Sequence, residues 1–108
     1  MLYRSTRGQV DPLPFSQAVL MGLADDGGLL VPESVPQLSD LAALGKLGYP
    51  DLAFQVMKPF VDLDETTLRT LLEQSYGPDY GGPVAPVRDT GPFGVLELFH
   101  GPTLAFKD

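Results

Sequence analysis

The last twelve residues, ELFHGPTLAFKD, hold the densest set of side chains that could do chemistry. Four polar residues of this segment could bind a ligand or react: His100, Thr103, Lys107 and Asp108. The pattern predicts the end of a strand, a tight Gly-Pro-Thr loop and the first turn of a helix over residues 104–108. Ligands collect at the carboxyl ends of strands in open α/β sheets. This segment is therefore the first candidate for a functional site.

Lys107 offers the most specific chemistry, because a neutral lysine amine can attack a carbonyl carbon and form a Schiff base. The positive end of a helix macrodipole disfavours an ammonium in the first turn. The apolar neighbours Phe99, Leu104 and Phe106 are expected to act in the same direction. A lysine at the start of a helix is more often only an exposed charge, so the spacing alone leaves both interpretations open.

Other acidic groups have structural explanations that we prefer over catalysis. Residues 25–28, Asp-Asp-Gly-Gly, lack the ligand spacing of a calcium loop and predict a turn. Asp62, Asp64 and Glu65 stand where a helix begins, and acids there stabilise the positive end of the macrodipole. No metal site is predicted.

Composition excludes several classes of function. The chain contains no cysteine, which excludes disulfides, thiolate metal sites and thiol nucleophiles. Seven Lys and Arg against fourteen Asp and Glu give a net charge of −7, so nucleic acid and anionic membranes are not expected partners. No apolar run approaches the roughly 18 residues of a membrane span, and no signal peptide begins the chain. We expect a soluble, cytoplasmic protein.

Apolar residues at helical spacing predict several helices in the first eighty residues. The first helix starts at Pro14 and continues through Leu23, and a short second helix follows a cap at Asp40. The third starts at Pro50, and Pro59 ends or kinks it.

The fourth helix is the clearest, because Asp62 or Asp64 can cap it and Gly77-Pro78 can close it. The apolar faces of these helices predict a small core, which consists of Leu23, Leu52, Val56, Leu68, Leu71 and Leu72.

Strands are predicted at both ends of the chain. Short strands are expected near 2–5 and 28–31, and a pair at 84–87 and 93–99 flanks an Asp-Thr-Gly-Pro turn. A Gly/Pro cluster at 77–83 is the natural boundary between a mostly helical part and the opening of a second unit.

The segment ELFHGPTLAFKD closely resembles the motif around the pyridoxal-phosphate lysine of bacterial and fungal threonine synthases. These enzymes belong to the tryptophan-synthase-β-like family of pyridoxal-phosphate proteins. Residues 2–8 resemble the family's opening strand, residues 15–32 are similar to its next stretch, and residues 83–87 resemble the entry into its cofactor domain. The resemblance covers nearly the whole chain and is loosest between about 33 and 80.

The resemblance implies a fold class and a division of the chain. The expected fold is a small α+β N-terminal domain, mainly helical with short strands, followed by the opening strands of an incomplete α/β pyridoxal-phosphate domain. Residues 1–82 would form the N-terminal domain, and residues 83–108 would begin the catalytic domain that binds pyridoxal phosphate.

The resemblance also implies an activity. Enzymes of this family convert O-phospho-L-homoserine and water into L-threonine and phosphate, with pyridoxal phosphate as the electron sink. Lys107 matches the lysine that binds the cofactor covalently and moves protons during turnover. Thr103 is expected to face the cofactor or the substrate phosphate, and His100 and Asp108 to contact substrate or hold the loop. Glu97 is expected to hold the loop.

Family members are several times longer than 108 residues. We therefore expect this chain to be the N-terminal portion of such an enzyme, inactive by itself, with the remainder of its catalytic domain as its partner. Two alternatives stay open at this stage. The protein could be a threonine-synthase-like phospholyase, or the chain could be a non-catalytic N-terminal packing module.

Overall fold

The computed structural model describes all 108 residues. Contacts divide the chain into two units, Met1–Arg69 and Thr70–Asp108, each described separately below. In chain order the elements are β1 (Leu2–Ser5), β2 (Leu13–Pro14), α1 (Phe15–Met21), β3 (Leu30–Pro32), α2 (Leu41–Leu44), α3 (Tyr49–Met57), α4 (Glu65–Tyr76), a 3-10 turn (Pro78–Tyr80), β4 (Val87–Asp89) and β5 (Gly94–Leu96). The predicted mixture of helices and short strands is confirmed.

The first unit contains a three-stranded antiparallel sheet with the order β2-β1-β3. Tyr3 lies opposite Leu13 on one side of β1 and opposite Pro32 on the other. Proline lacks the N–H that a central strand must donate, and both Pro14 and Pro32 lie on edge strands. The strand expected near 28–31 is observed slightly later, at Leu30–Pro32.

The Asp25–Asp26 turn before β3 is held by a single carboxylate. Asp26 accepts hydrogen bonds from the Ser5 hydroxyl (2.6 Å), the Gln9 N–H (3.0 Å) and the Gly28 N–H (2.9 Å). The Arg7 guanidinium donates to the Asp26 carbonyl oxygen at 2.8 Å. These contacts, above all the Ser5 hydrogen bond, lower the pKa of Asp26. The acidic turn is structural, as the sequence predicted.

Helix α1 is shorter than the apolar pattern predicts. It ends at Met21 because Gly22 takes a φ of +73°, a conformation that L side chains rarely adopt. Leu23 therefore lies beyond the helix and is 66% exposed. Its prediction as a core residue is wrong, since the apolar spacing does not show where the helix stops.

Aspartate side chains cap two helices. Asp40 accepts from the Ala43 N–H (3.0 Å) at the start of α2. Asp64 accepts from both the N–H (2.9 Å) and the hydroxyl (2.6 Å) of Thr67 at the start of α4. Of the two alternatives for the α4 cap, Asp64 is the one that forms.

Asp62 has a different partner. Its carboxylate accepts from the Ser16 N–H at 2.9 Å and from the Ser16 hydroxyl at 2.7 Å. Pro14 occupies the N-cap position of α1 and makes no side-chain capping bond. A distant carboxylate therefore satisfies a free N–H in the first turn of α1, a contact that no local pattern indicates.

The buried residues differ in part from the predicted core. Leu68 and Leu72 are buried as predicted, and Leu52 is half-buried. Val56 and Leu71 are exposed, so their prediction as core residues is wrong. The full buried apolar set is Leu13, Ala18, Ala24, Phe54 and Leu68 in the first unit and Leu72 and Tyr80 in the second.

Phe54 is the most deeply buried large side chain, with 2% of its surface exposed. The Arg69 guanidinium lies over its ring at 3.7 Å from the centroid and also pairs with Asp51 at 3.0 Å. Apolar residues lie on several sides of α3, so the helical spacing alone could not choose between Val56 and Phe54.

The second unit contains a two-stranded antiparallel hairpin of β4 and β5, with Val87 opposite Leu96. β5 is shorter than the predicted strand 93–99, and β4 lies later than the predicted strand 84–87, with which it shares only Val87. Pro86 has no N–H to donate, although its carbonyl still accepts from the Glu97 N–H at 2.9 Å. The connecting turn is the predicted one, and the Asp89 carboxylate accepts from the Gly91 N–H within it (2.7 Å).

The lowered pKa of Asp26 predicts how acid affects this fold. A carboxylate with a lowered folded pKa contributes stability above its unfolded pKa of about 3.9, and that stability is lost as pH falls through the folded pKa. We expect Asp26→Asn to lower Tm at neutral pH and to flatten the decline of Tm below about pH 4. Thermal unfolding followed by circular dichroism across pH 2–7 measures both effects. Asp25→Asn, a change to the exposed neighbour in the same turn, is the matched control, and an equal effect there would contradict the assignment.

The burial of Phe54 predicts unequal costs for two truncations in α3. We expect Phe54→Ala to lower the free energy of unfolding by about 3–5 kcal/mol, through lost burial and the cavity left behind. Val56→Ala on the same helix should cost less than about 1 kcal/mol, since its side chain is exposed. Urea unfolding compares the two, and equal costs would show that the buried face of α3 is misassigned.

Candidate active site

The loop of residues 101–108 is closed by one carboxylate. Asp108 accepts the Thr103 N–H at 2.9 Å through Oδ2 and the Thr103 hydroxyl at 2.5 Å through Oδ1. We call this pair of bonds the Thr103–Asp108 clasp. The hydrogen bond from the Thr103 hydroxyl is the main reason that the pKa of Asp108 is lowered. Two of the four predicted site residues are therefore partners of each other.

Close approach at Gly101 fixes where the Asp108 side chain lies. Gly101 is buried, and a Cβ atom added to it would lie 2.5 Å from the Asp108 Cβ and 2.7 Å from the Tyr80 hydroxyl oxygen. Tyr80 is itself buried, and this burial, with the charge of Asp108 as a lesser cause, raises the pKa of its hydroxyl. Only glycine leaves room at position 101 for these two side chains.

The helix predicted over 104–108 does not form. The segment consists of turns, in which the Leu104 N–H donates to the Gly101 carbonyl (3.1 Å) and the Asp108 N–H to the Ala105 carbonyl (3.2 Å). Leu104 has a φ of +57°, which is not helical.

The expected environment of Lys107 is corrected accordingly. Without a helix, the expected macrodipole is absent. Leu104 and Phe106 are 75% and 74% exposed, and Phe99 is exposed too, so the expected apolar surroundings are absent among residues 1–108. Lys107 is an exposed lysine.

Lys107 differs from the other two lysines in its setting. Lys58 forms a salt bridge with Glu65 and lies 5.7 Å from the centroid of the Phe54 ring. Lys46 follows the short helix α2. Lys107 is the one lysine of the second unit, and it lies in the loop that the clasp closes.

His100 belongs to a separate cluster. Its Nε2 lies 2.7 Å from Glu97 Oε2, and the Arg88 Nε lies 3.5 Å from Glu97 Oε1. The bond to His100 is the main cause of the lowered pKa of Glu97, whose side chain is only 17% exposed. The Phe99 ring lies 4.7 Å from the His100 ring. Glu97 thus pairs with both His100 and Arg88 where the chain passes from β5 into the loop.

Among these residues, the exposed amine of Lys107 is the group that can form a covalent bond with a ligand. An exposed primary amine fits a cofactor that carries an aldehyde, because the two condense directly. No group of three or more His, Asp or Glu side chains in residues 1–108 lies so as to hold a metal ion. None of the helices has both the length and the apolar character to cross a membrane.

Comparison with known proteins relates the whole chain to one family. A family model described as the threonine synthase N terminus matches residues 2–76. The threonine synthase of Pseudomonas aeruginosa is 50% identical over all of this chain, which spans 24% of that protein. The threonine synthase of Schizosaccharomyces pombe is 40% identical over 98% of the chain and 22% of its own length. Human threonine synthase-like 2 is 36% identical.

A solved structure gives the same result for the fold. The pyridoxal-phosphate-bound threonine synthase from Brucella melitensis matches with a TM-score of 0.90 and 40% identity, over 99% of this chain and 24% of that one. The chain thus spans about a quarter of the length of the relatives it matches. Because the family model covers well over half of its residues, the chain belongs to the threonine synthase family.

Proposed function

We propose that this chain is the N-terminal part of an enzyme that makes L-threonine and phosphate from O-phospho-L-homoserine and water. The observation that carries the proposal is the exposed amine of Lys107, in a clasped loop that follows a strand. The relatives named threonine synthase support the reaction, and one of them was solved with pyridoxal phosphate bound.

The proposed division places the N-terminal domain in residues 1–82 and the start of the cofactor domain in residues 83–108. Gly81 has a φ of +92° and precedes Gly82-Pro83, so the chain turns sharply there. The hairpin that follows leaves Val87 and Leu96 more than half exposed. Such apolar strands fit the opening of an incomplete α/β domain whose further strands would cover them.

Lys107 is the proposed cofactor-binding and catalytic residue. Its Nζ would hold pyridoxal phosphate through the cofactor's aldehyde group and would carry protons to and from the substrate. The cofactor, when bound, supplies an electron sink for carbanions. The clasp holds the backbone next to Lys107 while its side chain extends from the loop.

Residues 1–108 by themselves are proposed to be inactive. The substrate carries a carboxylate and a phosphate, which need cations or several N–H donors. The second unit has one arginine, Arg88, which already pairs with Glu97. The remainder of the catalytic domain is therefore the proposed partner that completes the binding of substrate and cofactor.

The first functional prediction concerns Lys107. In the full-length enzyme we expect Lys107→Ala to lower kcat by more than about 10³-fold while leaving Tm unchanged, because it removes the covalent group. Borohydride trapping followed by peptide mass mapping should place the cofactor on Lys107. Lys58→Ala and Lys46→Ala are the matched controls and should retain activity. Label on either of those lysines, with Lys107 unmodified, would contradict the assignment.

A second prediction concerns the product and the extent of chain required. Full-length enzyme should release phosphate and threonine in equal amounts from O-phospho-L-homoserine, whereas residues 1–108 alone should give neither. Paired assays of phosphate and amino acid measure both. Phosphate release without threonine would favour a phospholyase, and turnover by residues 1–108 would show that the further domain is not required.

A further inference from the structure

We propose that Asp108 is a positioning residue for Lys107, acting through the Thr103–Asp108 clasp. The proposal rests on the proposed function, in which Lys107 carries the cofactor. It goes further by assigning Thr103 to Asp108 instead of to a ligand. The clasp joins residues on both sides of Lys107 in the chain, so it fixes the short segment from which the lysine side chain extends.

The geometry of the clasp restricts rotation as well as distance. Two oxygens of one carboxylate accept from two donors of one residue, the N–H and the hydroxyl of Thr103. Such a two-point contact defines the orientation of the carboxylate, which a single hydrogen bond would not. The Asp108 N–H also donates to the Ala105 carbonyl at 3.2 Å. Main chain and side chain of Asp108 therefore both bond back to the loop that precedes it.

Packing keeps the Asp108 side chain in this position. The space beside it is bounded by the buried backbone of Gly101 and by the hydroxyl of the buried Tyr80. A methyl group at position 101 would overlap the Asp108 Cβ, at 2.5 Å. The Asp108 side chain therefore packs directly against these two neighbours.

The clasp limits what Thr103 can do for a ligand. A threonine hydroxyl has one hydrogen to donate, and the Thr103 hydroxyl donates it to Asp108. The N–H of Thr103 is also used in the clasp. A phosphate is an acceptor and needs donors. While the clasp is closed, Thr103 therefore has no hydrogen to offer a phosphate and serves to hold the lysine loop.

The test uses the full-length holoenzyme and the variants Asp108→Asn, Thr103→Val and Thr103→Ser. We expect Asp108→Asn and Thr103→Val each to lower kcat by about 10- to 100-fold with a smaller change in KM, since a displaced reactive group loses rate more than binding. Each should also change the absorption spectrum of the lysine-bound cofactor and its pH titration. Thr103→Ser keeps both donors and should remain within about threefold of wild type.

Two further variants and one control variant extend the test. The double variant Thr103→Val/Asp108→Asn should be no slower than the slower single variant, because both changes break one interaction. Gly101→Ala, which leaves both clasp residues intact, should reproduce the kcat loss and the spectral change by crowding Asp108. Asp89→Asn is the matched control, as an exposed aspartate in the hairpin turn, and should stay within about twofold of wild type.

Trapping experiments on the wild-type enzyme distinguish a failure of the proposed function from a failure of the positioning role of Asp108. If borohydride does not trap the cofactor on Lys107 of wild type, the proposed function fails. If wild type is trapped there but Asp108→Asn keeps its kcat and its spectrum, the positioning role is wrong. Losses that multiply in the double variant would also overturn it, because Thr103 and Asp108 would then act separately. Should Asp108→Asn fail to fold, the contrast between Thr103→Val and Thr103→Ser decides.

Discussion

Hydrogen bonds from serine and threonine to aspartate carboxylates hold both units of this chain. The same arrangement occurs four times, with Asp26 accepting from Ser5, Asp62 from Ser16, Asp64 from Thr67 and Asp108 from Thr103. In the last three pairs the carboxylate takes both the hydroxyl and the backbone N–H of one residue. Each lowers the pKa of its aspartate, so all four depend on ionised carboxylates.

Short elements explain why these bonds matter. The helices span 4 to 12 residues and the strands 2 to 4. Each helix leaves its first four N–H groups without an internal partner, a large share of the total in a helix of seven residues. A carboxylate satisfies such donors strongly because the bond is charge-assisted. Aspartates thus cap helices and stabilise turns in this chain, in addition to giving it a negative net charge.

At the candidate site, the sequence motif predicted which residue is of interest, and only the structure showed the conformation of the loop around it. The segment around Lys107 could be singled out from its residues, and its resemblance to a family motif made Lys107 the proposed cofactor lysine. Its conformation could not be predicted, because the same residues that suggest a helix start instead form turns with Leu104 at positive φ. The contacts between Asp108, Gly101 and Tyr80 join residues up to 28 positions apart, beyond the range of any local pattern.

The sequence by itself determined the family, a candidate cofactor lysine and the order of the four helices and of every strand except β2, since Gly, Pro and Asp act on their immediate neighbours. Only the tertiary structure decided which faces are buried, which carboxylate pairs with which hydroxyl, and that Thr103 bonds to Asp108. Leu23 and Val56 have the right spacing for a core, yet they are exposed while Phe54 is buried. The physical reason is that periodicity describes one element alone, whereas burial depends on what the rest of the chain places against it.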